Sequence, residues 1–206
     1  PTSDGNTSID LTNIVHPQSP EEKKVVRLIN VPQSNITQMR IRKRDGSLQE
    51  VSFDKILWRL RTLSDGLDVE YTRVAQAAVA GLVDKIKSSE IDCLTAYNAH
   101  QLYSDHPDYD VLASRIIISN HHKETIGYEL FSQVVWELHE NGQLNDAFYE
   151  VVQNNAAELD RAIDYDKDFY LSYFGFKTFE RTYGMRINGK VVERPQHMFM
   201  RAAVSI

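Results

Sequence analysis

The chain has 206 residues, 23 basic and 29 acidic side chains, 42% hydrophobic content and a net charge of −6. This length permits one domain or two small ones, and the charge argues against a dedicated nucleic-acid binder, whose domains are typically basic. A single cysteine, Cys93, excludes an internal disulfide and a four-thiolate zinc site, and no apolar run is long enough to span a membrane. The composition predicts a cytoplasmic protein that binds neither DNA nor a membrane.

The first segment of the chain, residues 1–38, is rich in Ser, Thr, Asn, Pro and Asp and has little apolar periodicity. These features are typical of a flexible leader. Residues 39–61 differ, because they carry 7 basic and 3 acidic groups in an otherwise acidic chain. Within them, Met39–Lys43 and Gln49–Phe53 flank Asp45-Gly46, a pattern that predicts a β-hairpin.

Four helices are predicted after the hairpin. Asp54 is interpreted as the N-cap of the first helix and Asp108 as the cap of the fourth. The Ala and Gly positions of the second helix suit close packing against a neighbour. The predicted ranges are residues 54–63, 71–86, 88–103 and 108–127.

The remainder of the chain is also predicted to be mainly helical, so the expected fold class is α+β, mainly α. Asn188-Gly189 predicts a second hairpin, and Pro195 sits where a last helix would begin. Met198–Ile206 is apolar to the last residue, so we expect it to be buried against the rest of a larger assembly. The other predicted helices are residues 129–141, 145–163 with an interruption at 154–155, and an aromatic-rich buried helix at 168–183.

Several side chains carry candidate chemistry, and each has a plainer interpretation. The island around Lys43 and Arg44, with Lys55 at a helix start, has the cations that a triphosphate needs, but such runs also protect exposed edge strands. Ser88 and Asp92 lie four apart and suit a ribose or base edge, whereas Ser89-x-x-Asp92 also fits a capping box.

The end of the fourth predicted helix raises two further questions. Lys123 can contact a phosphate or simply complement the helix dipole. His121 and His122 are adjacent in sequence, so their side chains point about 100° apart and cannot chelate one ion. They are interpreted as surface or capping residues. The sequence offers no metal site and no catalytic constellation.

Three blocks of sequence resemble a known family. Lys43–Gly46 with Val51–Ile56 resembles the opening of an ATP-cone, and His106–Tyr109 with Ala113–Thr125 resembles the last helix of that module. Tyr165–Arg181 and Glu193–Met198 resemble the segment beyond the cone. Together these blocks are similar to the large (α) subunit of class I ribonucleoside-diphosphate reductase, over residues 39–206. The resemblance implies a leader at 1–38, an ATP-cone at 39–128, and a helical region with the opening of the catalytic barrel at 129–206.

The resemblance also implies a function for the cone. It would bind ATP or dATP, with Mg²⁺ on the phosphates, and regulate the reduction of ribonucleotides to deoxyribonucleotides. Two positions depart from the family pattern, since Gln49 replaces a usual Glu and Ser88 a usual Thr. The residues that match the nucleotide contacts of the family are Lys43, Arg44, Gln49, Lys55, Ser88, Asp92 and Lys123.

The family's catalytic cysteines have no counterpart here, so this chain alone is expected to be inactive. Cys93 matches none of them and is interpreted as a small buried residue. The implied partners are the remainder of the α subunit (as a separate split-gene chain, an intein-related product or further residues), a radical-generating β subunit and further α subunits. The alternatives are a free-standing ATP-cone nucleotide sensor and a helical interaction module with no ligand.

Overall fold

The computed structural model describes residues 39–206, and the predicted leader lies outside this range. The fold is α+β and mainly α, as predicted. Its strands are β1 (Arg40–Arg42), β2 (Leu48–Glu50), β3 (Ile86–Lys87), β4 (Arg186–Ile187) and β5 (Lys190–Val191). Its α-helices are α1 (Phe53–Leu63), α2 (Tyr71–Ala80), α3 (Ser88–Gln101), α4 (Asp108–Glu124), α5 (Phe131–Glu140), α6 (Asp146–Asn154), α7 (Ala156–Ala162), α8 (Tyr173–Thr178) and α9 (Pro195–Val204).

The predicted first hairpin forms, and a third strand joins it. β1 is central, antiparallel to β2 with Ile41 opposite Gln49, and parallel to β3 with Ile41 opposite Ile86. At the turn, Gly46 has φ +85°, a conformation that favours glycine. The Asp45 carboxylate there accepts hydrogen bonds from the Ser47 amide and hydroxyl at 2.8 and 2.6 Å. The hairpin is therefore closed at the tip where the basic residues lie.

The prediction for the second helix was wrong at its C-terminal end. The expected helix reached residue 86, but α2 stops at Ala80 and Ile86 enters β3. Val83 and Ile86 match helical spacing, yet the residues between them bond to β1. The Arg40 amide donates to the Asp84 carboxylate at 2.8 Å, and the Lys85 amide donates to the Arg40 carbonyl at 2.6 Å. Hydrogen bonding along β1 therefore outweighs continuation of the helix through residues 81–86.

Helices α1 to α4 surround one core. Its fully buried members include Val74 and Ala75 on α2, Ala96 on α3 and Leu112 on α4. The close packing predicted for α2 is present at Gly81, where an added Cβ would lie 2.9 Å from a methyl group of Leu94. The N-cap of α1 is Ser52 and that of α4 is Pro107, so both predicted caps were misplaced.

The predicted aromatic helix at 168–183 is wrong, because three short elements occupy this stretch. A 3₁₀ helix (Tyr165–Tyr170) leads to α8, and a π-helix (Phe179–Tyr183) follows it. The Ser172 hydroxyl accepts from the Gly175 amide at 3.0 Å and starts α8 as a new helix. Phe176 and Phe179 join the α1–α4 core, whereas Tyr170 and Phe174 are 85% and 75% exposed.

The second predicted hairpin and the last helix both form. Asn188 and Gly189 have φ +51° and +80°, as a two-residue type I′ turn requires, and α9 begins at Pro195. Within residues 39–206 this apolar end is only partly covered, since Phe199 is 49% exposed and Ile206 is fully exposed; its burial against the rest of a larger assembly stays a prediction.

The two adjacent histidines on α4 connect this helix to residues further along the chain. His121 is buried and its Nε2 lies 2.7 Å from the carbonyl oxygen of Glu193, while His122 Nε2 lies 2.7 Å from a carboxylate oxygen of Asp168. Burial lowers the pKa of His121, which favours its neutral form. The interpretation as surface or capping residues was therefore wrong.

Candidate functional site

One cavity of about 240 Å³ lies between β1, β2 and helices α1, α3 and α4. Every site residue predicted from the sequence lines it. Lys43 follows β1, Gln49 is the middle residue of β2, and Lys55 lies in the first turn of α1. The full predicted set at the cavity wall is Lys43, Arg44, Gln49, Lys55, Ser88, Asp92 and Lys123.

The three helices contribute to the cavity by the same geometric rule. Residues four apart on a helix lie on one face, and each helix presents a pair of charged or hydroxyl side chains at this spacing. The pairs are Lys55 with Arg59 on α1, Ser88 with Asp92 on α3, and Ser119 with Lys123 on α4. Sequence reasoning missed Arg59 and Ser119, although their spacing from Lys55 and Lys123 is a signal that would have found them.

Of the two missed residues, Arg59 makes the closer contacts in the cavity wall. Its Nη1 donates to both carboxylate oxygens of Asp92 at 2.7 Å, and its Nη2 donates to the Ser119 hydroxyl at 3.3 Å. Asp92 is 7% exposed, and a buried carboxylate needs such a partner. The alternative of a Ser89–Asp92 capping box is therefore wrong; at this helix start the Lys87 amide donates to Glu90 at 3.1 Å instead.

Arg44 reaches across the mouth of the cavity to α4. Its Nε donates to Glu124 at 2.7 Å and its Nη2 donates to Asn120 at 2.5 Å, while Asp92 lies 3.9 Å from the same Nη2. These contacts fix the plane of the guanidinium. Arg44 therefore enters the cavity in a defined orientation.

The cavity wall carries more positive than negative charge. Five cations, among them the partly buried Lys123, face the single carboxylate of Asp92. Burial, with the positive charges of Arg59 and Arg44, lowers the pKa of Lys123 to about 8, although the Asp92 carboxylate acts in the opposite direction. The nearby Asp92 carboxylate is already bound by Arg59 through both of its oxygens. The arrangement is suited to hold a multiply charged anion such as a nucleotide triphosphate.

The cavity offers few ligands to a metal ion. The one carboxylate in its wall is bound by Arg59, and residues 39–206 contain no cluster of three metal-binding side chains. A Mg²⁺ ion that accompanies a nucleotide would therefore be held by phosphate and water oxygens, as is usual for this ion.

Cys93, next to Asp92, is exposed, so the interpretation as a buried residue was wrong. Its sulfur lies 3.9 Å from Nδ2 of Asn120, outside the lining of the cavity.

Among the helices of the described part of the chain, none is both long and apolar enough to cross a bilayer.

Two protein families match the chain in the order of its structural parts. Residues 39–124, which include β1 to β3 and α1 to α4, match the ATP cone domain. Residues 169–206, from the end of the 3₁₀ helix through α9, match the all-alpha domain of ribonucleotide reductase. The cavity lies wholly within the first match.

Curated relatives cover most of the chain. It is 43% identical over 180 residues to the ribonucleoside-diphosphate reductase large chain of Schizosaccharomyces pombe, a match that covers 82% of this chain and 22% of that protein. It is 42% identical to the ribonucleoside-diphosphate reductase large chain 2 of Saccharomyces cerevisiae, a match that covers 82% of this chain and 20% of that protein. It is 41% identical to the ribonucleoside-diphosphate reductase large subunit of Variola virus, a match that covers 80% of this chain and 23% of that protein. The chain thus spans about a fifth of the length of these relatives.

Proposed function

We propose, on the premise that this chain is the N-terminal part of a ribonucleoside-diphosphate reductase large subunit, that it binds ATP or dATP in the cavity and thereby regulates ribonucleotide reduction. The observation that carries the proposal is the convergence of five cations on one cavity within the ATP-cone match. ATP would keep the enzyme active and dATP would switch it off. The nucleotide brings Mg²⁺ with its phosphates.

The side chains divide into two groups by chemistry. Lys43, Arg44, Lys55 and Lys123 supply positive charge for the triphosphate, which strengthens each hydrogen bond to it. Gln49, Ser88 and Asp92 supply uncharged or acidic polar groups suited to hydroxyl and base edges. Arg59 does not replace them but holds Asp92 in place.

The reductase reaction itself belongs to the whole subunit. The radical-generating β subunit, the rest of the α subunit and further α subunits are the proposed partners. The match at residues 169–206 to a reductase domain favours this assembly over a free-standing nucleotide sensor or a ligand-free helical module.

Isothermal titration calorimetry of the purified chain with dATP tests the proposal. Lys55→Ala removes one charge-assisted contact and should weaken dATP binding about tenfold or more. The matched control is Lys167→Ala, which removes a lysine that pairs with Asp164 far from the cavity wall and should leave the affinity unchanged. No binding by the wild-type chain would favour the ligand-free module, and equal affinities for wild type and Lys55→Ala would remove the assigned phosphate site.

A further inference from the structure

A second cleft, of about 490 Å³, lies along the neighbouring face of α4. The nucleotide cavity uses Ile116, Ser119 and Lys123 of this helix, whereas the second cleft uses Ile117, Asn120 and Glu124. A shift of one residue rotates a helical position by about 100°, so the two sites occupy adjacent faces of one helix. The volume is within the range of small-molecule sites, and the cleft belongs to no function described above.

The charges in this cleft are unbalanced. Of its two carboxylates, Glu124 is paired with Arg44 at 2.7 Å and Glu180 is paired with Lys177. Within residues 39–206 the Arg186 guanidinium donates to the backbone carbonyls of Gly189, at 3.1 Å, and Glu180, and to no carboxylate. Arg181 and Lys190 have no ion-pair partner anywhere in residues 39–206. Three cations therefore line the cleft without a counter-charge.

A rare backbone element places one of these cations. Arg181 lies in the π-helix, whose amide at Gly184 donates to the Phe179 carbonyl at 2.9 Å. Short π-helical segments are uncommon and occur frequently at functional sites. Arg186, from the hairpin, bonds the Glu180 carbonyl of the same turn, which ties the hairpin cations to the π-helix. The Arg186 guanidinium is thus held against the π-helix that carries Arg181.

The rest of the cleft suits a compact anion with an attached flat group. Phe174 stands at the cleft and is 75% exposed, which is unusual for a phenylalanine side chain. Ile117 is almost completely buried and contributes an apolar surface. Aromatic and apolar walls with a few convergent charged groups are the usual composition of a ligand site.

We propose that this cleft is a second anion site, which binds a small molecule with two or more phosphate groups through Arg181, Arg186 and Lys190. It is separate from the nucleotide cavity, since no residue is shared between their walls. The phosphates can come from a nucleotide or from a non-nucleotide polyphosphate. Phe174 distinguishes these sources, because only a ligand with a base can stack on it.

Amide NMR shifts of the ¹⁵N-labelled chain during titration with inorganic tripolyphosphate test the site. We expect saturable shifts at Gly189, Lys190 and Arg181, with a dissociation constant of about 1 mM or tighter. Shifts confined to the cavity around Lys43 and Lys55, or shifts at the hairpin that do not saturate, would overturn the proposal. Because the shifts report location, the outcome does not depend on whether the first cavity binds nucleotide.

The double variant Arg181→Gln/Lys190→Gln should raise the dissociation constant at this site at least tenfold, since each charge-assisted contact contributes strongly. The matched control Arg73→Gln/Lys167→Gln removes the same two charges from exposed ion pairs elsewhere and should leave it unchanged. Equal loss of affinity in both double variants would contradict a built site.

The Phe174→Leu variant identifies the source of the phosphates. If it binds ATP more weakly than the wild type but binds tripolyphosphate equally well, the ligand is a nucleotide. If its affinity for ATP equals that of the wild type, the phosphates alone are recognised.

Discussion

Proton uptake on nucleotide binding is the sharpest consequence of the cavity geometry. Burial and the nearby charges of Arg59 and Arg44 lower the pKa of Lys123 from 10.5 to about 8 in the free chain. A bound triphosphate would supply a further anion and return the pKa of this amine toward its ordinary value. The lysine is then half charged at pH 8 before binding and fully charged afterwards, so binding takes up about half a proton at pH 8 and about nine-tenths at pH 9.

The assay is calorimetry of dATP binding at pH 8 and pH 9 in buffers that differ in ionisation enthalpy, which gives the number of protons taken up. The terminal phosphate has already lost its protons in this range, since its pKa is near 6. The matched variant is Lys123→Arg, because a guanidinium keeps its charge at every pH used. We expect this variant to bind dATP without proton uptake, while the wild-type affinity falls by up to about tenfold per pH unit above pH 8.

The same shift has a consequence of opposite sense for the free chain. The unfolded chain holds a proton on Lys123 up to pH 10.5, whereas the folded chain releases it near pH 8. The contribution of this group to the free energy of unfolding therefore rises between these values as pH increases.

For the binding assay, equal proton uptake by wild type and Lys123→Arg would refute the placement of a phosphate beside this amine.

Four further predictions follow from single features of the structure. Gln49→Glu restores the residue usual in the family and should change the ratio of ATP to dATP affinity measured by calorimetry; an unchanged ratio would remove Gln49 from the ribose and base contacts. Phe176→Ala leaves a cavity at a fully buried position of the α1–α4 core and should lower the free energy of unfolding, measured in urea, by about 3–5 kcal/mol. A loss well below this would show that neighbouring side chains move in to fill the cavity. Burial and the charge of Arg194 lower the pKa of His197 to about 3, so the free energy of unfolding should fall as pH drops from 6.5 toward 3, because only the unfolded chain takes up the proton; a His197→Gln variant with the same pH dependence would contradict this. The purified chain should show no ribonucleotide reduction in a product assay, since it has one cysteine, and any turnover would overturn the proposed division of labour.

The sequence was sufficient to predict the residues of the first cavity because they lie on helices, on β2 or in the tight turn between β1 and β2. The Asp45-Gly46 turn sets the hairpin, and spacing of four residues sets the faces of α1, α3 and α4. Once these elements pack, Lys43, Lys55 and Lys123 have little freedom in where they lie. Arg59 and Ser119, which were missed, follow the same spacing of four residues. They were predictable from the sequence, but they belong to none of the motifs that were considered.

The sequence was misleading where backbone hydrogen bonding decides the structure. Val83 and Ile86 have helical spacing, but the edge of β1 needs partners and Asp84 and Lys85 supply them. In the same way, aromatic residues from 169 to 183 suggest one buried helix. The Ser172 cap and the π-turn at Phe179 divide that stretch, and an apolar pattern does not reveal either event.

The buried polar network at the end of α4 could not be predicted from local pattern at all. His121 and His122 meet partners 72 and 46 residues later in the chain, and the Arg194 Nε donates to the Thr125 hydroxyl at 3.0 Å. His197 shows how tightly such a network is specified: its Nδ1 accepts from the Arg194 amide at 3.1 Å, so Nε2 carries the proton and donates to Tyr165 at 2.8 Å. Each bond has one allowed direction, and a charge on the ring would break it. Lys123 lies directly after these anchored histidines, which means that the end of α4 proposed to contact phosphate is also the end held by the downstream segment.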